Sequence, residues 1–274
     1  LAKVSQVVNS ITGLGYIFSK KIIIVKLIST IYKFILRFSH SSIIFQNPDD
    51  KKYFLKNNLA KENKIFLIYG SGVNVDDFSM NNTNIVKKED VNGSKINVFL
   101  FSRMIWDKGV KEYVDCAKKM SVVHSELHFF LIGSGDQGNP KSIPKKWLQD
   151  VNENKGISWI EHVEDVKPWM VLADIIVLPS YYKEGVPRSL IEAASFEKPI
   201  ITTDTPGCRE IVKNEFNGML VPIKDSTAIM YAIDYLLNNK NKWQSMGSKG
   251  RQLVLEKFDE KLIIKQTLEI YNLD

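Results

Sequence analysis

Two cations, Arg103 and Lys108, stand five residues apart in the stretch Phe101-Ser102-Arg103-Met104-Ile105-Trp106-Asp107-Lys108-Gly109. Arg binds oxygens through a planar fork and Lys supplies a point charge, so the pair suits a diphosphate. In a Lys-rich chain the same stretch also reads as a solvated loop. A second stretch is Glu184-Gly185-Val186-Pro187-Arg188-Ser189-Leu190-Ile191-Glu192. Here a loop carboxylate precedes a Pro at a helix start, where a missing N–H costs nothing. The free amides of that helix start form an anion site, and Glu192 lies a turn or so further on. The two carboxylates would bracket a bound phosphate, and each can accept hydrogen bonds from a diol. The bland alternative makes Glu192 a helix-face residue and Glu184 a solvated charge.

Gly133-Ser134-Gly135-Asp136-Gln137-Gly138 matches the glycine spacing of dinucleotide-binding loops. That chemistry needs a helix opening directly on the glycines. Pro140 and Pro144 keep the next helix from starting before Pro144. Gly133 and Gly135 therefore read as a turn that lets backbone approach a ligand. The loop Thr202 to Glu210 and the Asn217-Gly218 turn read as connections, and Cys208 as a buried small residue.

The elements that must position these loops follow from periodicity. Apolar runs at Asn97–Phe101, Leu127–Ile132, Ile157–Ile160, Ile175–Leu178, Pro199–Thr203 and Met219–Val221 predict buried strands. Between them, Lys111–Val123, Val166–Ala173, Ser189–Phe196 and Ser226–Leu237 have helical length, and Lys261–Tyr271 adds an amphipathic helix. Such alternation predicts a doubly wound α/β fold with a parallel sheet covered on both faces. Ligands then bind beyond the carboxyl ends of the strands, where all the loops above fall. Further strand-like runs are Ser42–Phe45 and Ile65–Tyr69, separated by a helix start at Asn47-Pro48-Asp49-Asp50. Residues 79–95, with the sequons Asn81-Asn82-Thr83 and Asn92-Gly93-Ser94, read as a polar surface connection.

The 274 residues are 44% hydrophobic and 25% charged, which excludes a disordered or low-complexity chain. A net charge of +6 suits a polyanionic ligand or an anionic membrane. Cys116 and Cys208 are too few for a disulfide framework.

In this order, Arg103…Lys108-Gly109, Gly133-Ser134-Gly135, the Glu184-to-Glu192 spacing and Asn217-Gly218 resemble retaining glycosyltransferases of family 4. The wording Glu184–Leu190 with Thr203-Asp204-Thr205-Pro206-Gly207-Cys208-Arg209-Glu210 resembles a bacterial subgroup that builds surface polysaccharides or lipid-linked oligosaccharides from UDP-sugars. The resemblance is close over roughly residues 65–271. It implies the GT-B fold, two Rossmann-like domains across a cleft. Residues 1–75 would be the end of an acceptor-binding domain and residues 76–255 the nucleotide-sugar domain. Residues 256–274 would be a helix returning to the first domain. On this reading the chain is truncated, with on the order of a hundred residues more upstream.

The resemblance further implies that Arg103 and Lys108 neutralise the departing diphosphate. Glu184 would hold the donor sugar's hydroxyls and Glu192 the ribose diol. The backbone of Gly185, Val186, Pro187, Ser189 and Leu190 would complete a phosphate cradle, and Gly133 and Gly135 would admit the nucleotide. No cofactor is expected, since the nucleotide-sugar is a substrate. The chain holds no Asp-x-Asp, and His40, His124, His128 and His162 show no metal spacing beyond an i,i+4 pair. Catalysis without a divalent metal is the expectation. In Gly72-Val73-Asn74, Asn stands where many relatives carry Asp, and Gly13-Leu14-Gly15-Tyr16 resembles an acceptor-domain loop.

The expected partners are a nucleotide-sugar, a lipid-linked or glycan acceptor and no nucleic acid. Residues Lys20 to Arg37 carry five basic side chains among Ile, Leu, Tyr and Phe, in keeping with a helix that lies on an anionic inner leaflet or packs on its own domain. The expected location is cytoplasmic, peripheral on the inner membrane. Two rivals stand beside this reading: an epimerase-like enzyme on the same fold, and a donor-binding fragment that is catalytically incomplete.

Overall fold

The computed structural model describes residues 6–14, 22–38, 41–80 and 95–271. The sequons at Asn81 and Asn92, with Gly15 and Tyr16, lie outside the described residues. The described residues form two parallel sheets. The smaller runs β1 (Val7–Ile11), β2 (Ser41–Phe45) and β3 (Ile65–Leu67), in that spatial order. The larger contains β4 (Ile96–Phe101), β5 (Leu127–Ile132), β6 (Ile157–Ile160), β7 (Ile175–Leu178), β8 (Ile200–Thr203) and β9 (Gly218–Val221), in the order β6-β5-β4-β7-β8-β9. Every pairing between these strands is parallel. The chain winds outward from β4 in one direction and then returns to β7 on its other side. Beta4 and β7 therefore form a topological switch point, where a crevice opens beyond their carboxyl ends.

Strand alternation divides the core of the larger sheet into two layers. Val98, Leu100, Phe129, Leu131, Ile175 and Val177 face one cluster of buried side chains. Phe99, Phe101, Phe130, Ile132, Ile176 and Leu178 face the other. That is the period of two expected when successive side chains point to opposite faces. On the first face lie α3 (Val110–Val123) and α8 (Ser226–Asn238), after α1 (Ile22–Phe38) and α2 (Pro48–Lys56) of the smaller unit. Alpha3 is tied to the sheet by Tyr113, fully buried, whose hydroxyl donates to the Val98 carbonyl at 2.7 Å. The second face is covered by α5 (Lys167–Leu172) and α6 (Arg188–Ser195), with Phe196 and Phe258 filling the gaps.

A further helix, α4 (Lys145–Asn152), starts directly after Pro144, where the prolines allow it, whereas α7 (Cys208–Ile211) and α9 (Trp243–Lys257) were not legible in the periodicity. Alpha9 contains Gly247 and Gly250, which interrupt its apolar stripe. A Cβ at Gly247 would fall 1.9 Å from the Glu197 carbonyl oxygen, so glycine is what allows the helix to lie against that turn. Strand β1 was also missed. It is an edge strand with Asn9 and Ser10 at its centre and Val7 exposed, so it carries no buried run. The expected run to Tyr69 ends at Leu67.

Alpha10 (Glu260–Tyr271) packs on the smaller sheet, where Ile263 and Ile270 meet Ile44 and Ile68. The segment leaving that sheet is secured at its base. Val73 exchanges backbone hydrogen bonds with Phe258 and Glu260, and Arg251 donates to the carbonyls of Val75, Phe78 and Ser195. Asn74 accepts from the amides of Asp76 and Asp77 at 3.1 Å each, an Asx turn that shapes this crossing.

Candidate active site

The loop after β4 and the loop after β7 meet at the switch point. Beyond Phe101 the chain makes a single 3-10 turn at Trp106–Lys108, and Gly109, at φ 75°, redirects it into α3. This turn points Lys108 inward. Its side chain is only 8% exposed, and Nζ donates to Glu184 Oε1 at 2.5 Å. Ser180 adds a hydrogen bond to the same oxygen at 3.1 Å. The two residues read separately from the sequence thus form one ion pair at the crevice floor.

Arg103 is placed differently. Its side chain is 55% exposed, and Nη1 lies 2.6 Å from Asp136 Oδ2. Asp136 is held in turn by Asn139 on its carboxylate and by the Ser142 hydroxyl on its amide. The sequence reading treated Asp136 as part of a glycine turn, although it is the first acid after Gly133-Ser134-Gly135. Arg103 is therefore pre-oriented by a carboxylate at the crevice rim, and an exposed pair of this kind is readily exchanged for a ligand's anion.

Glu192 sits on the inner face of α6 and is 9% exposed. Its Oε1 accepts from Arg188 Nε at 2.9 Å. Burial raises its pKa above the ordinary carboxylate value, and Arg188 offsets part of that shift. A raised pKa means the folded state holds the proton more tightly than the unfolded chain. The contribution to stability is therefore fully present below the unfolded value and is lost as pH rises through the folded one. Glu192→Gln is expected to flatten the pH dependence of stability and to melt no lower than wild type at pH 8. Melts of both proteins at pH 5 and pH 8 check this, and parallel pH profiles would overturn it.

A cleft of about 540 Å³ joins these groups, lined among others by Ser102, Arg103, Lys108, Gly133, Glu184 and Glu192. Pro187 and Ser189 also line it, as does His162 from the loop after β6, which sequence reading passed over although the strand-end rule covers it. Not every expected residue arrives there. Gly135 borders a neighbouring hollow, where a Cβ would press on the Ser142 hydroxyl at 3.0 Å. Gly133 does line the cleft, but its φ of 139° and a Cβ position 1.9 Å from the Ser102 carbonyl show that glycine is needed for the contact between two loops.

Two amides of the expected cradle from Gly185 to Leu190 are engaged within the protein. The Gly185 amide donates to the Thr12 carbonyl at 2.5 Å, and the Leu190 amide to the Pro187 carbonyl at 3.0 Å. Leu190 is fully buried and Val186 nearly so, as core residues. The first amides of α6, at Arg188 and Ser189, lie too near the helix start for a carbonyl one turn back and are open to an anion.

The other motifs are structural. Asn217 bonds the Lys213 amide and the Ile211 carbonyl, and a Cβ at Gly218 would meet the Ile200 carbonyl at 2.3 Å. Cys208 is buried and its thiol pKa is raised by burial and by Glu184. His124 faces Glu126 and Asp234, whereas His128 bonds Ser158 and is pushed down to about 4 by burial and Lys95. Among the described residues no three His, Cys, Asp or Glu side chains come together as a metal site.

Residues 81–253 match the family described as Glycosyl transferases group 1. The chain belongs to this family. It is 30% identical over 251 residues to the Campylobacter jejuni N,N'-diacetylbacillosaminyl-diphospho-undecaprenol alpha-1,3-N-acetylgalactosaminyltransferase, covering 89% of this chain and 63% of that protein. It is 26% identical over 248 residues to an Escherichia coli UDP-Gal:alpha-D-GlcNAc-diphosphoundecaprenol alpha-1,3-galactosyltransferase, covering 88% and 62%. The group 1 chain thus spans under two thirds of the length of these relatives. Among solved structures, Anabaena HepE in complex with UDP-glucose superposes with a TM-score of 0.82 at 17% identity, over 97% of this chain and 71% of that one. At that identity the likeness is one of fold, and the fold is GT-B.

Proposed function

We propose that this group 1 glycosyltransferase moves a sugar from a UDP-linked donor to a lipid-linked or polysaccharide acceptor, with retention of configuration. The observation that carries the reading is the 540 Å³ cleft at the switch point, where cations, helix-start amides and two carboxylates converge. Residues 1–75 belong to the acceptor side, residues 76–255 form the donor domain, and 256–274 return to the first. The relatives named above act on undecaprenol-linked sugars and form alpha linkages, which supports the acceptor class and the retention.

Each group then has a task. When the bond between the sugar's anomeric carbon and the diphosphate breaks, negative charge grows on the diphosphate. Lys108 and Arg103 lie where they can meet it, together with the Arg188 and Ser189 amides at the start of α6. Charge neutralisation comes from the protein's own cations, so no divalent metal is required. Glu184, on the same side as Lys108, accepts from the sugar's hydroxyls. Glu192 accepts from the ribose diol, and a buried carboxylate suits this because its acceptors lose little to competing water.

Calorimetric titration with UDP, GDP, ADP and NAD, with and without magnesium, tests the proposal. Metal-independent binding of UDP, weakened roughly tenfold to a hundredfold in Glu192→Gln by loss of a charged acceptor, is the expected result. Preference for NAD, or no nucleotide binding by folded protein, would refute it.

The acceptor side also carries the proposed membrane contact. On α1, Leu27, Ile31, Phe34 and Ile35 recur at helical spacing and are all exposed, between 49% and 67%. Lys26 and Lys33 are exposed beside them. Among the described residues no helix is long and apolar enough to cross a membrane. A surface-lying helix with basic flanks is the geometry of peripheral binding to anionic lipid. Cosedimentation with phosphatidylglycerol vesicles is expected, and Leu27→Asp with Phe34→Asp is expected to abolish it. Equal binding to neutral vesicles, or by the double variant, would count against the contact.

A further inference from the structure

Asp50 is the third residue of α2, behind the N-cap Asn47, whose Oδ1 accepts from the Asp50 amide at 2.8 Å. An acid at that position of an exposed helix start needs nothing more than water around it. Here it is 7% exposed, its carboxylate accepts from Asn47 Nδ2 at 2.9 Å, and the backbone amide of Leu14 beside it draws its pKa part of the way back down. Burial raises its pKa, so holding the carboxylate here costs stability that a cap alone would not demand.

What Asp50 holds is the pair of loops that touch Glu184. Asn47, itself fully buried, reaches the Glu184 carbonyl with Nδ2 at 3.5 Å. The Thr12 carbonyl accepts from the Gly185 amide at 2.5 Å. Gly13, at φ 136°, lies so close that a Cβ would be 2.6 Å from Glu184 Cα. Gly207 abuts the same stretch of backbone: a Cβ there would fall 1.8 Å from the Gly185 carbonyl oxygen and 3.2 Å from that of Glu184. The backbone of Glu184 and Gly185 is therefore gripped between the smaller sheet and the loop after β8.

We propose that Asp50 is a positioning residue: by fixing Asn47, whose side chain reaches the Glu184 carbonyl, and by standing beside Leu14, it docks the 12–14 loop on Glu184 and Gly185, and so sets where the Glu184 carboxylate meets the donor sugar. The role rests on the donor-site reading of Glu184 given above. It makes the donor carboxylate's position a property of the smaller unit, although Glu184 belongs to the larger one. Loss of Asp50 then loosens the sugar end of the donor and leaves the nucleotide end, held by Glu192 and α6, as it was.

The first readout uses no ligand. Hydrogen exchange at the Gly185 amide reports the Thr12 contact directly, and in Asp50→Ala it is expected to speed up about tenfold to a hundredfold. Gly13→Ala, which forces the same loop away without touching Asp50, should do likewise and keeps the test open if Asp50→Ala folds poorly. The second readout is calorimetric, with UDP and with whichever of UDP-glucose, UDP-galactose, UDP-N-acetylglucosamine and UDP-N-acetylgalactosamine wild type binds best. Asp50→Ala is expected to weaken the UDP-sugar about tenfold and UDP not at all, and to add nothing in a Glu184→Ala background. Unchanged exchange at Gly185 in both variants, equal weakening of UDP and UDP-sugar, or additive losses with Glu184→Ala would each overturn the proposal. Wild type that binds no nucleotide would overturn the donor-site reading itself, while the exchange measurement still decides the docking.

Discussion

Lys108→Met is expected to lower turnover of the UDP-sugar about a hundredfold to a thousandfold, the loss typical of removing one fixed electrostatic stabiliser of a developing anion. The structure makes this residue hard to replace. The ammonium is almost enclosed, and its partner Glu184 is 18% exposed, so removing the cation leaves a carboxylate with the Ser180 hydroxyl and little water. Breaking one side of a buried pair costs about 3 kcal/mol, and the partial exposure of Glu184 places this case at or below that figure. Lys108→Arg should not rescue, because a planar fork does not fit where a compact ammonium ends 2.5 Å from its acceptor. Release of UDP, followed beside thermal melts of each variant, separates the catalytic loss from the structural one. A folded Lys108→Met protein with wild-type turnover would remove Lys108 from the site.

The second large effect falls on a residue with no side chain. Gly109→Ala is expected to destabilise the protein by about 2–5 kcal/mol, from the left-handed backbone and from overpacking together. Gly109 has φ 75°, and a Cβ there would lie 2.1 Å from the Pro179 carbonyl oxygen. Pro179 follows β7 directly, so the added methyl would push apart the two loops that form the switch-point crevice. Lys108 sits immediately before the glycine, and its pairing with Glu184 should loosen in the same variant. Asn tolerates the left-handed region but brings the same Cβ, so Gly109→Asn should recover only the backbone share of the loss. Chemical denaturation of the three proteins checks the order, and a Gly109→Ala protein as stable as wild type would show that the loops can part freely.

The α/β pattern was legible because buried strands such as Ile175–Leu178 are short continuous apolar runs, whereas α3 repeats its apolar residues at helical spacing. Both are local properties of the chain. The loops of the site were legible for the same reason, since knowing where a strand ends says where ligand-facing residues begin. Alpha9 and β1 escaped because their signals depend on neighbours: Gly247 makes sense only against Glu197, and β1 only as the edge beside β2.

By itself the sequence determined the kinds of groups available, two cations, two carboxylates and a helix start, and the strand ends that carry them. Tertiary structure alone decided their partners. Lys108 meets Glu184 because β4 and β7 are neighbours at the switch point, a consequence of strand order that no local pattern encodes. Arg103 meets Asp136 because β4 and β5 lie in register, with Phe101 opposite Ile132, so the loops that follow them emerge side by side. Gly185 gives its amide to Thr12 rather than to an anion because the smaller sheet is packed against that loop. Spacing along the chain measures reach within one element, whereas contact between loops depends on how the sheets bury their faces and bring their ends together.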